Sequence, residues 1–476
     1  MYDTLIIGRD LSSLIAALIS VRKGRNTVLI LEENPENVYR DAGYAFPLDP
    51  RPLSGLADRQ LFSNLIRDLM PFDQDIFPVG TLNPAFQIIL PGHRVDIFAD
   101  RGRLIDELIR EFPEQTKEIK RFYRAVERVG SLFGDWIAQE ETARSGWTDR
   151  LLRHLLRFPA AISGHFSLLG QNLGKEVGFN RILQAQLNFL SHLEMDGHSF
   201  PLSAAYLLSL PQRGLFYPPG GMNEWTDRMR RVYTNQGGIL KHGCSIIRIE
   251  TEPEIAVDMK CEGSSTSLHG KKLIVSAQWE KLELLLPVRK VFPELKKRRA
   301  SIRSVAYPFC LHMGIHEEGL PEIMAADVVV LQDGNGPVTS RDLVFLHSSP
   351  PGNTDFAPEG RRALSATVYL PDSPLRLSDQ ELKNTATRII DSLEGFLPFL
   401  RESMDYLRVD QSILFSRRYQ EIANRKYRTR RQPLIGLQTL SPRTRLRNVL
   451  LTGGILRAGL GFEGEILAGM DAALQS

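Results

Sequence analysis

An α/β fold, with a nucleotide-binding unit split along the chain and other material inserted into it, is predicted by three observations. The first 33 residues run strand, turn, helix, strand and end in acid. A glycine pair after Tyr217 leads into a helix and a further strand. Near the C-terminus, a strand, a glycine-rich turn and a helix close the chain. Nucleotide-type elements at both ends and in the middle make that domain discontinuous.

Asp3-Thr4-Leu5-Ile6-Ile7 is an apolar run entering Gly8, Leu11 to Lys23 has helical periodicity, and Thr27 to Leu31 is a buried-strand run ending at Glu32-Glu33. A Rossmann fingerprint asks for three glycines across that turn and an acid about 20 residues on. The three places hold Gly8, Asp10 and Ser13. Asn34 to Pro52 reads as loop and Leu61 to Met70 as helix, followed by paired strands around a Pro91-Gly92 turn. From Arg103 to about Leu210 the pattern is helical, broken at Pro159, Gly164 and Gly197 to Pro201.

Strands return at Ile246 to Ile249, Ala256 to Met259 and Lys272 to Val275. A mixed block follows, with strands at Phe309 to Ile315, Val328 to Leu331, Leu343 to His347 and Ala363 to Leu370. Ser378 caps a helix running to Leu397, because Asp379 and Glu381 sit in its first turn. Asn448 to Leu451 is a strand, and the last helix starts about Glu463.

At 476 residues the chain has room for two or three ordinary domains. With 42% hydrophobic and 24% charged residues its composition is globular, and a net charge of +3 gives no argument for nucleic acid. Cys244, Cys261 and Cys310 form no C-x-x-C pair, so neither a zinc site nor a disulfide framework is expected, in keeping with a reducing cytosol. The start carries no leader-like run, and no apolar run nears the roughly 20 residues of a spanning helix. The expected location is cytoplasmic.

Four segments in order resemble the FAD-dependent phytoene desaturase-like oxidoreductases of the amine-oxidase superfamily. They are the N-terminal unit; Tyr217-Pro218-Pro219-Gly220-Gly221-Met222 with Gly237-Gly238 and the strand at Ile246; Asn353-Thr354-Asp355-Phe356-Ala357-Pro358-Glu359-Gly360; and Pro433 to Leu437 with Asn448 to Gly454 and Gly459 to Gly464. The resemblance implies a Rossmann-type FAD/NAD(P)-binding domain at 1–75, 215–290 and 430–476, with an inserted α+β substrate (cap) domain at 76–214 and 291–429. It also implies hydride transfer between FAD and a lipophilic, isoprenoid-like substrate. The flavin then accepts the hydride itself, and no catalytic side chain is named.

The cofactor residues it implies are Gly8, Asp10, Leu11 and Ser13 at the first turn, Glu32 at the adenosine ribose, Arg40 for the pyrophosphate and Ile246 along the adenine. Gly453, Gly454, Gly461, Phe462 and Gly464 take the flavin end. Asp10 and Gly454 among these, and Glu463 beside them, depart from the family pattern. Asp10 puts a carboxylate where the pyrophosphate would approach, and an aspartate there is also a good helix cap, able to take the free amides of Leu11 to Ser13. Gly454 removes the acid that holds the ribityl chain, and Glu463 replaces a proline near the flavin's pyrimidine edge. A cofactor-free binding or escort protein on the same fold, like the Rab escort branch, is the alternative.

Other clusters have plain readings beside functional ones. His192 to His198 alternates four metal-type ligands, but Leu193 and Met195 between them suit a surface turn, and no metal is expected there or at His312 and His316. Arg150 to Phe158 is a basic amphipathic segment, suited either to cap-domain packing or to a membrane surface. Arg417, Arg418, Arg425, Lys426, Arg428, Arg430 and Arg431 form a basic run read as a solvated loop, with anionic lipid as its functional option for 417–431. The expected partners are a lipophilic small molecule and a membrane surface, and no nucleic acid.

Overall fold

The computed structural model describes residues 1–32, 38–48, 51–56, 61–71, 81–140, 168–172, 175, 177–194, 201–218, 221–261, 263–276, 285, 297, 300–332, 338–372, 377–419, 425–429 and 441–476. Two sheets organise them. In the first, Ile239–Glu250, Thr27–Glu32, Tyr2–Ile7, Ser264–Ser276 and Val449–Thr452 lie side by side and parallel. Ile255–Cys261 runs antiparallel between the far halves of Ile239–Glu250 and Ser264–Ser276. The three central strands, distant in sequence, meet here because they are apolar on both faces: Leu5, Ile6, Val28, Ile30, Leu273 and Ile274 are all fully buried.

The helix Leu11–Arg22 follows the first strand and is buried from Leu11 to Val21, so it has no solvent face. It packs against the last helix, Gly461–Gln475, where a Cβ on Gly469 would overlap the backbone oxygen of Ser12. That close approach ties the two ends of the chain together.

The second sheet orders Met404–Leu407, Ile302–His316, Arg361–Pro371, Leu343–Ser348, Asp327–Leu331, Phe86–Leu90 and His93–Ile97, with Lys426–Thr429 also paired to Ile302–His316. One face, with Leu311, Met313, Val344, Leu364 and Val368, buries the helix Asp379–Glu394. Ser378 caps that helix in a reciprocal box with Glu381, as its sequence predicts. The other face, carrying Phe345, Tyr369, Val329 and Leu331, joins the core shared with Leu11–Arg22 and the helices Phe179–Leu190 and Pro201–Arg213. The inner face of the second sheet therefore looks toward the nucleotide-type unit.

Three expectations are corrected. Within Asn34 to Pro52, the strands Val38–Asp41 and Tyr44–Pro47 form a hairpin, whose Tyr39 and Phe46 pack on His312. The basic run holds a helix end (Val409–Tyr419) and the strand Lys426–Thr429 instead of a solvated loop: Arg417 pairs with Asp379, Arg425 with Asp372, and Lys426 is fully buried. Cys244 and Cys261 are disulfide-bonded. They face each other in register on neighbouring antiparallel strands, with Cα atoms 4.1 Å apart, a pairing that sequence spacing does not reveal. The cysteines thus give no support to a reducing compartment.

Candidate functional site

The turn after the first strand is built around one carboxylate. Asp10 is the N-cap of Leu11–Arg22 and accepts from the Ser13 amide at 2.9 Å. Oδ1 also accepts from the hydroxyls of Ser12 at 2.9 Å and Ser13 at 2.6 Å. Oδ2 accepts from Ser276 at 2.6 Å, at the end of a neighbouring strand. Free helix amides are what a dinucleotide pyrophosphate would use, and a side chain of the same sign has taken the one at Ser13. Gly8 is required by a near neighbour: a Cβ there would overlap the Ser13 hydroxyl. Arg9 is half-buried, and burial lowers its guanidinium from the ordinary value, with the fields of Tyr419, Glu32 and Asp10 opposing the fall.

The remaining cofactor candidates scatter. Glu32 ends its strand opposite Cys244, and Ile246 is half-buried at a register shift facing Met259. Arg40 is exposed on the hairpin, which docks on the second sheet. Gly453 precedes a short 3-10 segment, Gly454–Leu460. The side chain of Glu465 passes over Gly454, so a carboxylate one turn into the last helix stands near the place the acid vacated. A Cβ on Gly461 would overlap the Leu190 oxygen, and one on Gly464 the Arg457 oxygen. Phe462 lies against Trp225, their ring centroids 6.1 Å apart.

Glu463 is buried, and its carboxyl takes hydrogen bonds from Tyr206 and Ser54. Burial pushes that carboxyl up, with Tyr206, Arg213 and Ser54 opposing the rise. The Glu463 carboxyl is thus an internally bonded group.

These residues do not fit a dinucleotide at its pyrophosphate. Its amide donor and hydroxyls belong to Asp10, and a bound pyrophosphate would have to displace four hydrogen bonds while facing a carboxylate.

The inner face of the second sheet supplies what the sequence reading missed. Register places Asp327 opposite His347, His347 opposite Ser365, and Phe345 opposite Thr367, so these side chains share one face with Tyr369. His347 Nδ1 lies 3.0 Å from Asp327 and 2.9 Å from the Tyr217 hydroxyl, which also bonds Asp327. Tyr217 comes from the Tyr-Pro-Pro-Gly-Gly segment. The period-two pattern of the three strands was the signal available; a facing partner cannot be read from it. Arg51 and Lys426 converge on the rings of Phe345 and Tyr369.

His192 and Glu194 are buried, which corrects the surface turn: Glu194 accepts from the amide and hydroxyl of Ser340. Residues 195–198 lie outside the described residues. Among the described residues no group of three or more His, Cys, Asp or Glu is placed to hold a metal ion.

No protein-family model and no curated protein matches this sequence. Solved structures do match. A redesigned putrescine oxidase variant aligns over 99% of this chain and 98% of its own, at 12% identity and TM-score 0.62. Cyclohexylamine oxidase from Brevibacterium oxydans aligns over 99% and 98%, at 13% identity and TM-score 0.55. Rab GDI from Plasmodium falciparum aligns over 100% and 96%, at 9% identity and TM-score 0.54. The fold is that of the amine oxidases and Rab GDI. The likeness extends along the whole chain, and at these identities it is a likeness of fold.

Proposed function

We propose that this chain is a ligand-binding protein on the amine-oxidase fold, in which an internal carboxylate has replaced the cofactor's pyrophosphate. The observation that carries this is the set of four hydrogen bonds accepted by Asp10, one of them from the distant strand end at Ser276. The ligand is a lipophilic small molecule held against the aromatic inner face of the second sheet, where Phe86, Phe189, Phe345 and Tyr369 are buried. A match to Rab GDI beside those to oxidases agrees with a fold that serves more than one role.

A second reading is an FAD-dependent oxidoreductase of the phytoene desaturase-like kind. It is favoured by Glu32, which stands at the end of the second parallel strand where an adenosine ribose would lie. Titration with FAD, followed by flavin fluorescence, separates the two. The binding reading expects no saturation by the parent and measurable affinity in Asp10→Gly. Saturable binding by the parent gives the case to the oxidoreductase.

Delivery of a lipophilic ligand at a membrane, through residues 150–158 and 417–431, belongs to the same proposal. The first segment lies outside the described residues. Among the described residues, no helix is long and apolar enough to cross a membrane. Flotation with anionic liposomes should weaken in an Arg153→Glu, Arg157→Glu variant, and unchanged flotation would reject this contact.

A further inference from the structure

The strand Ile239–Glu250 changes partner part-way along. From Ile239 to Cys244 it pairs in parallel with Thr27–Glu32, and from Cys244 to Glu250 it pairs antiparallel with Ile255–Cys261. Cys244 belongs to both ladders, standing opposite Glu32 on one side and Cys261 on the other. The pairing is irregular to either side of it. In the first ladder the register shifts between Ile30 and Glu32, and Gly243 there takes a φ of 60° that favours glycine. In the second it shifts between Ile246 and Arg248, which leaves Ile247 out of register and 59% exposed.

Two bulges close together make register a local choice, because moving a bulge by one residue slides the pairing without breaking the whole ladder. The Cys244–Cys261 disulfide removes that choice by joining the strands covalently between the two irregular points. Backbone pairing holds the same strands together, so breaking the disulfide frees the register and leaves the sheet standing. The two sulfurs differ in access. Cys244 is fully buried in the core of the first sheet. Cys261 is half-buried at the end of its strand, and residues 263–267 just beyond it are all exposed. A reductant therefore reaches the bond from the Cys261 side.

We propose that Cys244–Cys261 is a redox switch: oxidised, it clasps the bulged strand beside Glu32, and reduction by a dithiol releases that strand's register. One thiolate of the dithiol attacks Cys261 Sγ and forms a mixed disulfide. The electron pair of the broken bond leaves on Cys244 Sγ, which takes up a proton. The second thiol of the reductant then attacks its own sulfur in the mixed disulfide, releasing Cys261 as a thiol and closing the reductant into a cyclic disulfide. Two electrons pass to the protein, and the two protons lost by the dithiol end on the two cysteines. The element that loosens borders Glu32, the acid at the end of the second parallel strand. The switch stands apart from the ligand-binding reading and needs no ligand to be tested.

The experiment treats the folded full chain with dithiothreitol, without denaturant, and follows amide hydrogen exchange by peptide mass spectrometry. Thiols counted in denaturant, after the reagent is removed in acid, should rise from one to three while the far-ultraviolet circular dichroism stays unchanged. Exchange in 244–250 and 255–261 should speed up about tenfold or more, with Tyr2–Ile7 and Arg361–Pro371 unaffected, and reoxidation should restore it. A variant carrying both Cys244→Ser and Cys261→Ser should exchange like the reduced parent and ignore dithiothreitol, which excludes a side effect of the reagent. A staple with a structural role alone resists the dithiol until the chain unfolds. Resistance of the bond in the folded chain, loss of the whole fold on reduction, or exchange unchanged by reduction overturns the switch.

Discussion

The Asp10 carboxylate and the Ser276 hydroxyl, 266 residues apart in the chain, are joined by a 2.6 Å hydrogen bond. It fastens the turn after the first strand to the end of its parallel neighbour, with which that strand pairs from Tyr2 to Ile7.

That bond should be measurable as a coupling. Asp10→Ala removes the helix cap as well as the latch and should cost about 1–2 kcal/mol in urea unfolding. Ser276→Ala alone should cost about 1 kcal/mol. The double variant should then fall short of the sum by about 1 kcal/mol, and strict additivity would mean that the two side chains act independently.

The disulfide closes a loop with a sequence separation of 17 between Cys244 and Cys261, and Cys310 is the free, buried cysteine. Alkylation of the unfolded, unreduced chain should therefore add one label, against three after reduction. Replacing both bonded cysteines by serine should lower stability by about 3 kcal/mol. Three labels without reductant would show that the bond does not form.

Acid sensitivity should trace partly to His312. It is fully buried under Phe46 and Phe415, and burial pulls its imidazole from 6.5 down to about 3. The unfolded chain thus binds the proton more readily than the folded one. Stability is full above about pH 6.5 and is lost as pH falls toward 3. His312→Gln cannot take that proton and should flatten the urea midpoint between about pH 6.5 and 4. A variant whose midpoint falls as steeply as the parent's would place the sensitivity at other groups, His192 first among them.

Several local elements are legible in the sequence because one stretch of chain decides each of them. The apolar run before Gly8, the periodicity from Leu11 and the Ser378–Glu381 box each depend on neighbours within a turn or two, and each stands as expected. The capping reading of Asp10 was local in the same sense, and the Ser13 amide confirms it. Its Ser276 partner was not legible, because nothing in either segment specifies which strands become neighbours. The place of Arg40, exposed on a hairpin docked to the other sheet, is likewise not specified by its distance along the chain.

By itself, the sequence determined the N-terminal strand–helix–strand unit, the capped helix after Ser378 and the aspartate cap at the first turn, since propensity, period and capping act over short separations. Only the tertiary structure decided that Asp10 bonds Ser276, that Cys244 faces Cys261, that burial raises the Glu463 carboxyl, and that Arg51 and Lys426 meet over Phe345 and Tyr369. Each of these depends on strand order, register and exclusion of water, which the whole core sets together and no local window of sequence contains.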